Sequence, residues 1–275
     1  MNKYAYFSGV NIYSNGNNLR GCVNDCMDMR ERIVAKYSVQ PDNIRVLTDT
    51  RATTKVGLEH LDWLIGCCSP TEQDVLIFQN SSHGTRFRIR DAYGNLNNWE
   101  SDVICPSDFN WDTNFISAEM IHAKFDKIPP NTTLIFISDS CCSGDLVREL
   151  SWSSGVDSAK SLPKRMIPPD DIRARSISRD LGVKKLTDYV SVIDSVNIVF
   201  LSGCQSSETS ADAYMNGRYN GALTNGLKAL IDAAPNATWE CAHKYIIDFM
   251  EQNSFAQHPE VKGSTHLLTS KIFEN

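Results

Sequence analysis

The stretch LIFISDSCCSG, residues 134–144, decides the fold and raises the question of function. Four apolar residues typical of a buried strand run directly into Asp139, two adjacent cysteines and a Ser-Gly turn. Short apolar runs of the same kind recur with helical segments between them, at 4–12, 44–47, 75–78, 134–137 and 196–201. This alternation predicts an α/β protein with a mostly parallel central sheet covered on both faces.

The helical segments supply the two outer layers of a three-layer α/β/α arrangement. Apolar residues from Leu19 to Ile33 recur at spacings of three and four, which is typical of one face of an amphipathic helix. Further helices are predicted near 54–66, 117–127, 220–233 and 238–251, and a last strand at 266–273. We therefore expect residues 1–275 to form a single domain around a sheet of about six strands.

Composition narrows the function. The 275 residues are 41% apolar, which supports a large core. A net charge of −6 without a basic stripe argues against nucleic acid as the principal partner. The N-terminal apolar run is too short for a signal peptide and no later run approaches 18 residues, so we expect a cytoplasmic protein without membrane contact. Nine scattered cysteines without metal-type spacing suggest a reducing compartment and no zinc.

Two of the predicted strands end in reactive side chains. The run 75–78 continues to His83-Gly84, and the run 134–137 continues to Cys141. Because the carboxyl ends of parallel strands share one edge of a sheet, His83 and Cys141 can meet as a Cys-His dyad. Backbone N–H groups of Gly84 and Cys141 would bind a developing oxyanion. The alternative is that the cysteine pair only fills the core, as buried free cysteines often do.

Six segments, in this order and spacing, resemble the caspase-like cysteine peptidases of peptidase family C14, and within them the metacaspases. The resemblance extends from about residue 4 to about 235, and 58 positions (141 − 83) separate the histidine from the cysteine, close to the roughly 50 typical of a caspase-type pair. The segments are LRGCVND (19–25), NIRVLTD (43–49), SSHG (81–84), CPSDF (105–109), DSCCSG (139–144) and LSGCQSSETSADA (201–213).

The resemblance implies a caspase-like fold and an endopeptidase mechanism. Cys141 corresponds to the nucleophile, and His83 to the general base and acid. The QACRG-type signature of true caspases is absent, so cleavage after Asp is not expected. Metacaspases cleave proteins after Arg or Lys, and the family is associated with regulated proteolysis in cell death, stress or defence. A possible activating protease or regulator is also implied.

The resemblance further implies which residues recognise the cationic side chain of the substrate. The acids correspond to Asp25 and Asp139, with Cys22 and Ser81 lining the pocket. Chemistry agrees, because a buried ammonium or guanidinium group needs carboxylates nearby. Each acid also has a simpler role open to it. Asp25 could complement a helix dipole, and Asp139 could cap a turn.

Many metacaspases need calcium. The acidic residues that bind it lie in the sequence between the catalytic histidine and the following helix. Here those stretches read RIRDAYGNLNNWESD (88–102) and NFISAEM (114–120). Asp91, Glu100, Asp102 and Glu119 remain, but several expected acids are absent. Calcium prefers six to eight oxygen ligands with several carboxylates. Calcium binding is therefore possible, but the acidic site looks eroded, and we expect no required cofactor or metal.

Residues 151–186 break the α/β pattern and are predicted to be an exposed basic linker. The linker would separate a large-subunit-like part, 1–150, from a small-subunit-like part, 187–275. An enzyme that cleaves after Arg or Lys should be cut there, between about 155 and 186, either by itself or by a partner. The candidates are Lys160, Lys164, Arg165, Arg173, Arg175, Arg179, Lys184 and Lys185.

Two other functions compete with this interpretation. The chain could instead be a caspase-like scaffold or sensor that has the fold but no catalytic activity. Because His83 and Cys141 are both retained, nothing in the sequence requires such inactivity. Residues 142–148 also fit the C-x5-R spacing of cysteine-dependent phosphatases. Asp145 inside that loop would repel a phosphate dianion, which argues against the phosphatase.

Overall fold

The chain forms a three-layer α/β/α structure in a computed structural model. The structure describes residues 1–141, 161–176, 182–188, 197–205 and 208–274. Strands lie at β1 (Lys3–Gly9), β2 (Ile44–Thr48), β3 (Val75–Ser81), β4 (Gly84–Phe87), β5 (Trp99–Ile104), β6 (Ile116–Ser117), β7 (Thr133–Asp139), β8 (Ser161–Pro163), β9 (Gly182–Lys184), β10 (Asn197–Ser202), β11 (Ala211–Met215), β12 (Arg218–Gly221) and β13 (Glu260–Lys262). Helices lie at α1 (Cys22–Tyr37), α2 (Thr54–Gly66), α3 (Ala118–Phe125), α4 (Asp170–Arg173), α5 (Ala222–Ala233), α6 (Trp239–Gln252) and α7 (Thr265–Leu268).

The central sheet has six strands in the order β13-β10-β7-β3-β1-β2. All neighbouring pairs are parallel except β10 with β13, which is antiparallel and forms one edge. The predicted fold class, a mostly parallel sheet of about six strands in a caspase-like arrangement, is confirmed.

The strand residues alternate between two apolar clusters, one on each face of the sheet. Along β7, Leu134 and Phe136 join the cluster beneath α2 and α3, while Ile135 and Ile137 join the cluster beneath α1, α5 and α6. Successive side chains of a strand point to opposite faces, so a continuously apolar run fills both clusters. This is why the central strands are recognisable in the sequence.

The predicted helices are present with small shifts of their ends. Three of them begin at residues whose hydroxyl oxygens accept a hydrogen bond from a backbone N–H of the first turn. These N-caps are Thr53, Ser117 and Thr238. Such caps satisfy donors that have no partner within the helix, and they fix where each helix begins.

The last predicted strand, at 266–273, is wrong. Ser264 caps the short helix α7 by accepting a hydrogen bond from the N–H of Leu267, and the chain then turns so that Ile272 and Phe273 are buried. The apolar residues there reach the core from a helix and a turn. The sixth strand is instead β13, where only Val261 is apolar, so its sequence carries no strand pattern.

Two small sheets lie beside the central one. One has the order β12-β11-β8; in the other, β4, β5 and β6 are joined in that order and β9 pairs with β5 in parallel. Both sheets include segments that follow residue 160, so this part of the chain is built into the domain. Among the helices that the structure describes, none is long and apolar enough to cross a bilayer.

A ladder of aromatic rings crosses the sheet and generates a stability prediction. The ring of Phe136 lies 4.8 Å from those of Phe78 and Phe200 and 5.7 Å from that of Phe125, between centroids. We expect Phe136→Ala to lower the free energy of unfolding by roughly 3–5 kcal/mol, because it leaves a cavity and removes ring contacts. Urea unfolding measures this. Phe136→Leu is the matched control and should cost about 1 kcal/mol; equal losses for both variants would contradict the ladder's role.

Candidate active site

The site forms at the carboxyl ends of β3 and β7, which are neighbours in the sheet. Ser81, the last residue of β3, pairs in register with Asp139, the last residue of β7. The segments that leave these strands carry His83 and Cys141 to the same edge. The condition on which the sequence-based dyad depended, that the two strands lie side by side, is therefore met.

His83 is held by one hydrogen bond from its backbone and one from its ring. Its N–H donates to the hydroxyl of Tyr13 (2.9 Å), whose ring lies 4.9 Å from the imidazole. The ring Nε2 lies 2.8 Å from the carbonyl oxygen of Asn17. A carbonyl only accepts hydrogen bonds, so Nε2 carries the proton and Nδ1 keeps a lone pair. This is the tautomer that a general base needs.

Burial sets the protonation state of His83. The side chain is almost fully buried, and this lowers the pKa of His83 to about 4, while the hydrogen bond to Asn17 acts in the opposite direction. The nearby ammonium of Lys164 lowers the pKa further. At neutral pH the imidazole is therefore uncharged and ready to accept a proton.

Cys141 is fully buried at the end of β7. Its sulfur accepts a hydrogen bond from the backbone N–H of Ser210, with an N–Sγ distance of 2.7 Å. Ser210 lies just before β11, in one of the segments that carried the family resemblance. The neighbouring Cys142 and the C-x5-R stretch to Arg148 lie outside the described residues.

A segment of the protein itself lies across this edge of the sheet as an extended strand. Strand β8 pairs antiparallel with β11, with Leu162 opposite Asp212 and Pro163 opposite Ala211. The next residue, Lys164, donates its N–H to the carbonyl oxygen of Ser210 (2.9 Å). Backbone pairing of this kind is how peptides add to an exposed strand.

The carbonyl oxygen of Lys164 accepts two backbone hydrogen bonds. The donors are the N–H groups of Gly84 (3.1 Å) and Cys141 (3.2 Å), the pair for which an oxyanion role was predicted. A side chain on Gly84 would overlap the Cys141 carbonyl, so only glycine allows this approach. Two convergent N–H donors would stabilise negative charge developing on that oxygen.

The side chain of Lys164 fills a fully buried pocket. Its ammonium lies 3.2 Å from Oδ2 of Asp25 and 3.0 Å from Oδ1 of Asp139, and it donates to the hydroxyl of Ser81 (2.8 Å). It also donates to the backbone carbonyl of Asp139 (3.1 Å). Cys22 is likewise fully buried and lies near enough for the ammonium to oppose the rise that burial causes in the pKa of its thiol. The structure thus brings the four predicted pocket residues together around one cation.

The two acids are themselves held by residues that the sequence did not single out. Oδ1 of Asp25 accepts from the side-chain amide of Asn220 and from the N–H of Gly221, each at 2.9 Å. Oδ2 of Asp139 accepts from the hydroxyl (2.6 Å) and N–H (3.0 Å) of Thr224. A side chain on Gly221 would overlap both the Asp139 carboxylate and the lysine ammonium. The pocket therefore needs glycine at this position.

A third acid, Asp212, lies at the rim of the pocket. Its Oδ2 accepts from the N–H groups of Arg20 (2.6 Å) and Gly21 (3.1 Å), just before α1. The fragment ADA, 211–213, stood within a recognised motif, but only its position in the fold reveals that its carboxylate fixes the loop before Asp25. No spacing in the sequence could have shown this.

Burial and charge act against each other in the pocket. Burial alone would lower the pKa of Lys164, but the carboxylates of Asp139 and Asp25 raise it well above its ordinary value, so the lysine is charged. Burial raises the pKa of Asp139, and the lysine ammonium opposes that rise. Burial also keeps the Cys22 thiol protonated by raising its pKa. The pocket binds a cation with carboxylates that have no other cationic partner among the described contacts.

The prediction that 151–186 is an exposed linker is wrong for part of the stretch that the structure describes, although residues such as Ile167, Asp171 and Lys184 are exposed. Lys164, Arg165 and Met166 are buried where the segment lies across the edge of the sheet. Further along the chain, Ile172 and Leu186 are also buried. Of the other cleavage candidates, Lys184 is exposed and three are partly buried or half-exposed: Arg173, Arg175 and Lys185. Lys160 and Arg179 lie outside the described residues.

The four acids that remain in the expected calcium region do not converge on one point. Asp102 pairs with Arg86 and accepts from the N–H of Leu186, while Glu119, on the opposite face of β5, accepts from Trp99 and Ser101. Because adjacent strand residues point to opposite faces, Ser101, which Glu119 contacts, faces away from Asp102. Asp91 instead binds N–H groups of its own turn and Glu100 lines a surface cavity near Arg86. Within the described ranges no group of three metal-type side chains converges.

Comparisons with known proteins agree with this geometry. The family model described as "Metacaspase, peptidase C14 domain" matches residues 3–149, more than half of the chain. The chain belongs to the metacaspase family. It is therefore a member of a family of cysteine-type peptidases, as the six sequence segments predicted.

Two curated relatives of this metacaspase come from a plant and a yeast. Metacaspase-9 of Arabidopsis thaliana is 27% identical, with 94% of this chain and 92% of the relative covered. Metacaspase-1 of Scheffersomyces stipitis is 29% identical, with 86% of this chain and 64% of the relative covered. A solved structure, protein GSU0716 from Geobacter sulfurreducens, matches with a TM-score of 0.69 at 18% identity over 99% of this chain and 98% of that one. This last likeness supports the fold alone.

The depressed pKa of His83 gives a pH prediction. In a Cys141→Ala protein we expect the imidazole NMR signals of His83 to titrate near pH 4. Between about pH 4 and 6.5 the unfolded chain binds a proton that the folded chain excludes, so stability falls as the pH falls through this window. From pH 7 to 5 the loss attributable to this group is roughly 2 kcal/mol.

The matched control for this titration is Cys141→Ala combined with His83→Asn. The double variant should lose less stability than Cys141→Ala on acidification in urea unfolding experiments. A His83 titration near the ordinary value, or equal acid sensitivity of the two proteins, would show that the ring is not covered in solution.

Proposed function

We propose that this metacaspase is an endopeptidase that cleaves proteins and peptides after Lys or Arg through a Cys141–His83 dyad. The observation that carries the proposal is the position of Lys164 in the pocket. Its ammonium lies between Asp25 and Asp139, while its carbonyl oxygen receives the N–H groups of Gly84 and Cys141. One residue of the chain thus makes the contacts that a substrate residue before the scissile bond would make.

The proposed reaction follows from these contacts. Nδ1 of His83 accepts the thiol proton of Cys141 as the sulfur attacks the Lys164 carbonyl carbon. The oxygen becomes negatively charged between the two N–H donors, and the C–N bond to Arg165 then breaks as the imidazolium returns its proton to the leaving amine. Water, activated by the same imidazole, hydrolyses the thioester and releases the free thiol and a carboxylate.

The pocket chemistry supports Lys or Arg and opposes Asp before the scissile bond. A buried cation without carboxylates would cost several kcal/mol, and here two acids and a hydroxyl surround it. An aspartate would add a third negative charge to the same buried space. A neutral side chain would leave the two carboxylates uncompensated.

We further propose that the chain is made as a zymogen and matured by cleavage of its own Lys164–Arg165 bond. The intact segment occupies the place of a substrate and buries Cys141 and His83. Cutting this bond would free the segment that ends at Lys164 to leave the pocket. Of the eight predicted cleavage candidates, Lys164 has the support of both the pocket and the oxyanion contacts.

Self-cleavage has a direct test by intact mass and N-terminal sequencing. The wild type should convert to two chains, with Arg165 as the new N-terminus. Cys141→Ala should stay uncut, and Lys164→Gln should not be cut at this bond, because the amide cannot pair with the two carboxylates. Lys164→Arg is the matched control, because it keeps the cation and should still be processed.

Activity toward other molecules is tested with fluorogenic peptides. Processed enzyme should hydrolyse lysyl and arginyl substrates and leave the aspartyl analogue intact. If the wild type stays uncut under conditions in which such peptides are hydrolysed, self-maturation is wrong while the peptidase assignment stands. Hydrolysis that survives Cys141→Ala would overturn the assignment itself.

We propose that no calcium is required. The support is that the buried Asp102 and the partly buried Glu119 already have protein donors: Arg86 for the first, and Trp99 with Ser101 for the second. We expect self-processing and peptide hydrolysis to proceed equally in excess chelator and in added calcium. Titration of chelated protein with calcium should leave the melting temperature unchanged, and a calcium-dependent rise in either rate would contradict this proposal.

The setting of the activity is also a proposal. The described cysteines are free thiols, which favours a reducing compartment such as the cytoplasm. Protein substrates with Arg or Lys before the cut are the proposed partners, with an activating protease or regulator as an alternative route to maturation. Family resemblance supports a role in a regulated proteolytic response.

A further inference from the structure

The segment continues past the proposed cleavage point into a second covered position. Met166, two residues after Lys164, is 1% exposed and belongs to the apolar cluster on that face of the sheet. Its sulfur lies 3.6 Å from each of two side-chain amide nitrogens, those of Asn15 and Asn17. We call the turn that carries these asparagines, residues 13–19, the cover loop.

Gly84 fixes the chain on both sides of the proposed scissile bond. Its N–H donates to the Lys164 carbonyl, and its own carbonyl accepts from the N–H of Met166 (3.0 Å), which forms a parallel bridge centred on Arg165. Any substrate whose carbonyl sits between the N–H groups of Gly84 and Cys141 can use the same bridge. Its second residue after the cut then lies where Met166 lies.

The cover loop joins this position to the dyad. The side chain of Asn17 contacts the Met166 sulfur, while the backbone carbonyl of the same residue accepts from Nε2 of His83. The loop is held at its base by the N–H of Leu19, which donates to the Asn11 carbonyl (2.8 Å). One residue therefore contacts both the chain beyond the cut and the imidazole.

We infer that the space under the cover loop is a subsite for the second substrate residue after the cut, and that it selects an unbranched, uncharged side chain such as Met. This inference rests on the proposed function and adds a determinant beyond the Lys or Arg pocket. Apolar burial supplies the attraction, and the two amide N–H groups favour a soft acceptor over a cation. Asn15 and Asn17 are specificity-determining residues in this assignment.

The test uses peptides that extend beyond the cut, based on Ser-Leu-Pro-Lys-Ala-Met-Ile, with Met replaced by norleucine or alanine. Alanine stands in place of Arg165 so that only one bond is cleavable, and mass spectrometry locates the cut. The enzyme is the full-length chain carrying Met166→Ala after self-processing, so that its own methionine does not fill the subsite. The Met peptide should exceed the Ala peptide in kcat/KM by roughly tenfold, as expected for a buried side chain, and the norleucine peptide, which lacks the acceptor sulfur, should fall between the two.

Variants of the cover loop show whether the asparagines form the subsite. In Asn15→Ala and Asn17→Ala the ratio of the Met to the Ala peptide should fall, whereas Ser14→Ala, in the same loop, should leave the ratio unchanged. Because Asn17 also holds His83 through its backbone, the measured quantity is this ratio and not the absolute rate. A ratio near one in the parent enzyme, or an unchanged ratio in both asparagine variants, would overturn the subsite.

A substrate that ends at the cut separates this inference from the function on which it rests. Ser-Leu-Pro-Lys-aminocoumarin has no residue in the subsite and reports only on the Lys pocket and the dyad. If it is hydrolysed while the Met and Ala peptides are cut equally, the subsite is wrong and the peptidase assignment stands. If the enzyme cleaves none of these substrates after lysine, both fail.

Discussion

The buried ammonium of Lys164 is the interaction on which the site depends. Two carboxylates in a water-excluded space would repel each other, and the cation between them offsets that repulsion. The cation also sets the register of the whole segment. When the lysine side chain occupies the pocket, its carbonyl oxygen lies within hydrogen-bonding distance of the N–H groups of Gly84 and Cys141. The residues before and after it are then positioned to pair with β11 and Gly84.

The scaffold supports this arrangement from several separate parts of the sequence. Asp25 lies in the first turn of α1, Asp139 ends β7, and the groups that hold them come from the β12–α5 region, around residues 220–224. The sheet brings these parts together because β3 and β7 are adjacent and end at the same level. A site assembled in this way keeps its geometry only while the central sheet is intact.

The predictable parts of this protein are those with strong local signals. Apolar runs such as 134–137 revealed the central strands, and the short motifs singled out His83, Cys141 and the four residues of the proposed pocket as candidates. The edge strand β13 was missed because its pairing depends on a neighbour and not on its own residues. Asn220, Gly221 and Thr224 were missed for the same reason, since their roles arise only when α5 packs beside α1.

The basic segment shows a different limit of sequence reasoning. Its prolines and charges suggested solvent exposure, whereas Lys164 pairs with Asp139, 25 residues upstream, and with Asp25, 139 residues upstream. A charge pattern reports what a segment carries and cannot report which buried surface it complements.

The position of β10 has a consequence for the form that a cut protein would take. This strand lies between β7 and β13, one strand in from the edge of the sheet, although it follows residue 164 in the chain. Breaking one backbone bond at that residue would leave the two pieces interleaved through shared strand pairing and a common core. The product would be a nicked heterodimer that purifies as one particle and separates only under denaturing conditions.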